Sequence, residues 1–414
     1  CYCTRNQPFR DFRLLHGQPF KPEPVSEVII RRRISPWLVL VCAFLLFFII
    51  YLTGAVWPSY VESQGFGEGT LGLLIGLYGL ALFVGRIPIG FVSDLLVGRR
   101  RFVVIAGFCF MAMAFALPSV FDSRWALLGS RMLMGVGAGC FVAIAVLYAL
   151  YFPPRSAMFS TAVIASFFGW GQIPANPIGG WIADEFGALA PFWLSAGLAV
   201  VGAALALFVV EPVENRARSR PVLLPRDRRL YGMAAMMGVV FFALYATVYN
   251  TTQVYAADRL NASDFTQGLL LMAYITPFVG VVLASPYLAQ RASVTSVVTI
   301  GMASMGVGVL LTAWADLAVL FACEVLIGVG LGLTYGLLMA LAVEEAPASQ
   351  RFYAMGVFQS IYAVGMFLGP LASGYLSEAA GFSPAFVVIG AVVLLAGGVF
   401  FFARTGDSRS IAKS

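Results

Sequence analysis

Arg131-Met132-Leu133-Met134-Gly135-Val136-Gly137-Ala138-Gly139 is answered 193 residues later by Glu324-Val325-Leu326-Ile327-Gly328-Val329-Gly330-Leu331-Gly332. The same offset carries Pro154 onto Pro347, Pro177 onto Pro370, Glu185 onto Glu378, Pro191 onto Pro384 and Gly197 onto Gly390. Ungapped agreement of that many Gly and Pro positions marks an internal repeat. Each nonapeptide lies in a long apolar run, so the repeating unit is a set of membrane helices. An even number of spans per unit inserts both halves in the same sense. The halves are then related by an axis along the membrane normal, with a cavity between them at mid-membrane.

Composition agrees. The chain is 60% hydrophobic and 11% charged over 414 residues, with a mean hydropathy of +0.88. A soluble domain is about 45–50% apolar and about 25% charged. Lipid must cover the excess. A hydrocarbon core of ~30 Å takes ~20 apolar residues per helix, which leaves room for about a dozen spans. Continuous apolar runs disfavour a β-barrel, whose strands alternate. Windows bounded by charge, Gly and Pro predict helices at 36–57, 70–93, 102–121, 124–148, 157–181, 188–210, 230–256, 264–289, 294–314, 316–343, 350–376 and 382–404. The fold class is therefore all-α polytopic, with twelve transmembrane helices in two pseudo-symmetric six-helix bundles. The bundles are 36–210 and 230–404, with a tail at 1–35, a linker at 211–229 and a second tail at 405–414.

The net charge of +6 does not point to nucleic acid, because the arginines sit in short loops on one side. Arg31, Arg32 and Arg33 precede the first helix, Arg99, Arg100 and Arg101 follow the second, and Arg155 follows the fourth. Six arginines fill 211–229, and Arg291, Arg351, Arg404 and Arg409 complete that face. The opposite face has Arg124 and Arg259 among Glu62, Glu68, Asp184, Glu185 and Glu378. The positive-inside rule places both termini and the linker in the cytoplasm; a prokaryotic inner membrane is the expected home. Residues 1–30 are polar, with Pro8, Pro19, Pro22 and Pro24, and the first methionine is Met111. They read as a disordered cytoplasmic tail, or as an over-extended or truncated start, rather than a cleaved signal peptide. Cys42, Cys109, Cys140 and Cys323 lie in apolar helices and behave as small hydrophobes. The one histidine, His16, is in the tail. Neither a metal site, a cofactor nor a phosphate-binding loop is expected.

Helix 2 ends in Gly85-Arg86-Ile87-Pro88-Ile89-Gly90-Phe91-Val92-Ser93-Asp94, then Leu95-Leu96-Val97-Gly98-Arg99-Arg100-Arg101. Glycine there lets helix 2 approach a neighbour closely, and an acid at the membrane edge accepts from arginine or a helix N-terminus. The run resembles the signature loop of the major facilitator superfamily, G-x-x-x-D-R-x-G-R-R, at Gly90, Asp94, Gly98, Arg99 and Arg100. Leu95 replaces the usual arginine and one residue is inserted before Gly98. The resemblance implies a cytoplasmic latch against helix 11, with Arg99 or Arg100 standing in for the missing arginine. Arg131, Gly135, Gly137 and Gly139 resemble a second family motif, R-x-x-x-G-x-G-x-G. Gly169-Trp170-Gly171-Gln172-Ile173-Pro174-Ala175-Asn176-Pro177-Ile178-Gly179-Gly180 resembles the G-P-x-x-G-G element of proton-driven exporters, with Asn176 for glycine. Gly369-Pro370-Leu371-Ala372-Ser373-Gly374 keeps that spacing better. Gly135, Gly139, Pro177, Gly328, Gly332, Gly369 and Pro370 are read as packing and bending positions. The resemblance covers 36–404 and implies a proton-coupled small-molecule transporter of the efflux type.

An ionised side chain at the bilayer centre costs ~2.5–3.5 kcal/mol on insertion scales. Arg86, Arg131 and Glu324 lie well inside spans. Arg131 and Glu324 are repeat equivalents, each about 10–12 Å in from the outer end at 1.5 Å per residue, and symmetry lets them face one another. Two readings stand: Glu324 exchanges a proton under the influence of Arg131, or the two form a static outer gate. Arg86 is read as structural, pairing with Asp94 or reaching the headgroups.

The resemblance makes helices 1, 4, 7 and 10 pore-lining. With facing turns of 5 and 11, they nominate Tyr51, Thr53, Gln172, Asn176, Tyr245, Tyr249, Asn250, Tyr335, Gln359 and Tyr362. Polar residues in spans line pathways, but they also join helices at ~0.6 kcal/mol each. An aromatic, amide-rich pocket suits a moderately apolar organic solute better than an inorganic ion. The expectation is alternating access by a monomer in the lipid bilayer, with protons as coupling partner and export as direction. A nutrient importer or facilitator of the same fold is the alternative. A membrane enzyme would need a nucleophile or paired-acid constellation, and none is visible.

Overall fold

The computed structural model describes residues 25–96, 98–121, 123–152, 157–212, 228–343 and 351–411. Twelve long helices organise them: α1 Val25–Leu52, α2 Glu68–Leu95, α3 Arg101–Val120, α4 Arg124–Leu150, α5 Ala157–Phe186, α6 Ala190–Leu207, α7 Arg228–Leu260, α8 Asp264–Ala292, α9 Val294–Thr312, α10 Leu317–Val343, α11 Arg351–Ala380 and α12 Phe382–Ile411. Among the described residues, all but α5 are long and apolar enough to cross a membrane. α5 carries Gln172, Pro174, Asn176 and Pro177 within its apolar run, and its 30 residues exceed the length a span needs.

Three boundaries differ from expectation. α1 begins at Val25 and carries Pro36 inside it, so residues 25–35 extend the helix; Pro22 and Pro24 stand just before its start. α1 ends at Leu52, and Trp57–Ser63 forms a separate short helix with Pro58 in its first turn, the position where proline's missing N–H is harmless. α12 runs to Ile411, so the expected tail at 405–414 is helical up to that residue. Within 211–229, residues 213–227 lie outside the described set, as does the segment 1–24.

Two spans are irregular. α4 breaks between Ala138 and Phe141, around Gly139 and Cys140; its repeat counterpart α10 is continuous. α7 contains a π-turn over Thr247–Thr251. Such bulges rotate the side chains that follow and recur at functional sites.

The repeat is visible in packing. A Cβ on Gly135 of α4 would lie 2.7 Å from the Tyr78 carbonyl oxygen of α2. A Cβ on Gly328 of α10 would lie 2.0 Å from the Tyr274 carbonyl oxygen of α8. Gly135 and Gly328 therefore do the same work in each bundle: bare glycine lets backbone touch backbone, as small residues do wherever membrane helices must pack without a hydrophobic drive.

The bundles meet along two helix pairs, α2 with α11 and α5 with α8. Gly72, Gly76 and Gly79 form one face of α2, and Cβ atoms there would meet the Pro370 oxygen at 2.2 Å, the Phe367 oxygen at 2.6 Å and Met366 Cβ at 2.7 Å. On the second pair, a Cβ on Gly180 would lie 2.1 Å from the Asp264 oxygen.

Candidate functional site

Hydrogen bonds between the bundles close the arginine-poor end. The Asp184 carboxylate accepts from the Asp264 and Phe265 backbone N–H groups at 3.1 and 3.0 Å, capping the start of α8 from across the interface. Ser59 Oγ donates to Asp264 Oδ1 at 2.8 Å. The Gly69 N–H donates to Glu378 Oε2 at 3.2 Å, and Ser377 Oγ donates to the Glu68 carboxylate. The acids that mark topology in the sequence thus fasten this end shut. Glu378, as the repeat image of Glu185, was the available signal for that role.

Below this closure the expected open hollow is filled by aromatic side chains. Tyr51, Tyr245, Tyr249, Tyr274 and Tyr362 are all buried. Tyr51 packs on Phe168 and Tyr249 with ring centroids 5.9 and 5.7 Å apart. Gln172 Oε1 accepts from Tyr249 Oη at 2.8 Å and from Tyr274 Oη at 3.0 Å, and the two hydroxyls also contact each other. One amide of α5 thus ties the first bundle to α7 and α8 of the second. Tyr274, absent from the sequence-based cavity set, is central; its place on α8 hid it. On the arginine-rich side of this layer Phe241 stacks on Tyr362 at 4.3 Å and 12°, and Tyr335 packs on Phe241 and Phe278.

Not every nominated residue joins this layer. Thr53, in the turn after α1, donates its Oγ1 hydrogen to the Ile50 carbonyl of that helix. Asn250 donates to the Pro370 carbonyl and to Ser373 Oγ at 3.2 and 2.9 Å, which fixes α7 to α11 inside one bundle. Gln359 contributes a backbone carbonyl. Asn176 is fully buried with neither amide atom hydrogen-bonded.

The intramembrane charges depart from the expected pairing. Arg131 lays its guanidinium on the Trp57 ring, Cζ 3.7 Å from the centroid, a distance at which a cation is held by the ring's quadrupole. Glu324 is fully buried, and neither carboxylate oxygen has a hydrogen-bond partner. No ion pair joins them in this structure. Trp57 lies on the short helix that follows α1 and takes Arg131 within its own bundle. Arg86 reaches across the interface instead of staying on α2. Its Nη1 donates to the Gln359 carbonyl and to Tyr362 Oη, both at 3.4 Å.

The signature loop is anchored inside the first bundle. Glu211, just after α6, accepts from Arg100 Nη1 at 3.0 Å and from the Gly98 and Arg100 backbone N–H groups at 3.0 and 2.8 Å. Gly98 has φ +80°, the left-handed region that side chains disfavour. Arg100 is the arginine held in the loop and Arg99 is exposed. Gly90 has open space around it, so the close approach to α11 comes from the earlier stripe at Gly72–Gly79. The Asp94 side chain lies outside the described residues. Glu211 sits in a polar Glu-Pro-Val-Glu stretch that reads as linker, which concealed it.

The family model described as Major Facilitator Superfamily matches residues 39–253 and 233–414. The chain belongs to the major facilitator superfamily. It is 22% identical over 341 residues to an uncharacterized MFS-type transporter of Methanocaldococcus jannaschii, covering 78% of this chain and 86% of that protein. It is 26% identical over 329 residues to the inner membrane transport protein YajR of Escherichia coli, covering 76% and 70%. A solved POT family transporter in complex with 5-aminolevulinic acid superposes with a TM-score of 0.76 at 13% identity, covering 89% of this chain and 95% of that one. As a superfamily member it is an integral membrane transporter.

Proposed function

We propose that this chain is a secondary transporter that moves a small organic solute by alternating access, coupled to protons and working in export. The observation that carries the coupling is Glu324, buried inside α10 without a single hydrogen-bond partner. A carboxylate held bare in a membrane interior is destabilised, whereas the neutral acid is tolerated there, so proton uptake fits this conformation. Arg131, held on Trp57 in this state, is a buried cation available to Glu324 once the bundles rearrange. The rearrangement opens the arginine-poor end by breaking the Asp184, Ser59, Glu68 and Glu378 contacts, and relaxes the tyrosine layer around the solute. The arginine-rich face is cytoplasmic in this reading.

Purified protein in proteoliposomes with an imposed pH gradient tests the reading. Solute movement should follow the gradient in wild type. In Glu324→Gln it should lose gradient dependence while solute exchange without a gradient persists. Gradient-driven accumulation that survives in Glu324→Gln rules out the coupling role. Movement in the same direction as protons favours the importer alternative.

A further inference from the structure

Among the described residues the guanidinium of Arg86 has no counter-ion. Its Nη1 makes two hydrogen bonds at the outer limit of length, and its Nε is buried with no partner. Arginine carries five N–H donors in a planar fork suited to an oxyanion. The groups around it are the rings and hydroxyls of Tyr78 on α2, Tyr335 on α10 and Tyr362 on α11, with the Tyr362 ring centroid 5.8 Å from Cζ. No carboxylate among the described residues pairs with it. Glu324, the buried acid inside the spans among the described residues, lies ~10 Å from the arginine-poor end of α10, whereas Arg86 lies ~27 Å from the same end of α2 at 1.5 Å per residue. Arg86 is half-buried, whereas Tyr78 and Tyr362 beside it are buried. Beside it the stacked Phe241–Tyr362 pair offers a flat apolar wall.

We propose that the transported solute is an organic anion, a carboxylate or similar oxyanion on an aromatic or apolar body, and that Arg86 receives its charged end between α2 and α11. The inference rests on the transport reading and names the solute class for it. Binding exchanges two stretched hydrogen bonds for a bidentate, charge-assisted pair. Because Arg86 currently bridges to Gln359 and Tyr362 of the other bundle, taking the anion also frees that bridge and ties solute entry to bundle motion.

Thermal shift of the purified chain with aromatic carboxylates, and with the amides and amines of the same skeletons, tests this. The carboxylates should stabilise wild type and the amides and amines should not. Arg86→Gln should weaken carboxylate binding tenfold or more, and Arg86→Lys should keep part of it. Equal response to amide, amine and carboxylate, unchanged carboxylate affinity in Arg86→Gln, or no response to any compound overturns the proposal. So does Arg86-dependent stabilisation by phosphatidylglycerol over phosphatidylcholine without a response to soluble carboxylate, since a lipid phosphate is then the occupant. Parallel flux in proteoliposomes separates the two claims. Flux of amines or amides alone keeps transport and sinks the anion site. Arg86-dependent carboxylate binding without flux of any compound keeps the site and sinks transport.

Discussion

Substituting Gly72 by alanine adds one methyl at the tightest point between α2 and α11. That carbon would lie 2.2 Å from the Pro370 carbonyl oxygen, 3.0 Å from its carbonyl carbon and 3.4 Å from Gly374 Cα. All three are backbone atoms, so no side chain can swing away. Ordinary carbon–oxygen contact needs about 1 Å more, and one helix must retreat. Overpacking of this kind costs about 1–3 kcal/mol. The cost falls on the conformation closed at the arginine-poor end and is relieved when the bundles part there. At 1.4 kcal/mol per factor of ten, the closed-to-open ratio should fall by roughly 5- to 150-fold. Spin labels on the exposed residues Ser63 and Asn261, one on each bundle at that end, would read the distance distribution in wild type and Gly72→Ala. Gly197→Ala on α6 is the control, because a Cβ there meets nothing within 4 Å. An unchanged distribution in Gly72→Ala, or an equal shift in Gly197→Ala, would refute the claim that this stripe governs closure.

Glu211→Ala should lower the unfolding temperature in detergent by several degrees. Removing one partner of a buried ion pair costs about 3–5 kcal/mol, and here the side chains of Arg100 and Glu211 are 4% and 3% exposed; a melt within error of wild type refutes the anchoring role. Asn176→Leu should raise thermal stability, because an unpaired buried amide costs about 1–3 kcal/mol and both amide atoms are unpartnered. If solute contacts Asn176, the same variant loses transport, so a melt and a flux assay read the two effects apart. Tyr274→Phe should cost about 0.5–1.5 kcal/mol, the worth of one hydrogen bond to Gln172; an unchanged melt in Tyr274→Phe would remove that bond from the account.

The twelve helices and the two-bundle symmetry were legible because they follow from hydropathy and repeated Gly and Pro, which are properties of short stretches. The candidate site was half legible. Arg86, Arg131 and Glu324 stand out because charge inside a span is rare, but their partners do not. Arg86 meets Gln359 and Tyr362 from 273 and 276 positions away, and Glu68 meets Ser377 across 309. Nothing in a local pattern encodes such pairings. Arg131 was assigned to Glu324 by symmetry, whereas a tryptophan ring proved able to hold the cation. The tyrosine layer was found piecemeal, since five of its tyrosines and Gln172 were nominated as separate cavity residues and Tyr274 was not nominated at all.

The contrast between the two halves explains which positions the repeat preserves. Gly135 and Gly328 are repeat equivalents and each meets a backbone carbonyl, on α2 and on α8, because close helix packing makes the same demand of both bundles. The chemistry at the same depth makes opposite demands. Where one bundle places Arg131 on Trp57, the other places Glu324 with empty hydrogen-bonding capacity. A symmetric pair of arginines or of glutamates would give two like charges and no means of exchanging a partner. In the proposed reading, an unlike pair, each member held apart in this conformation, would give the acid two different charge environments, which is what coupling a proton to a change of access requires. Duplicated glycines therefore record the scaffold, and the proposal places coupling at the position where the repeats differ, Arg131 in one and Glu324 in the other.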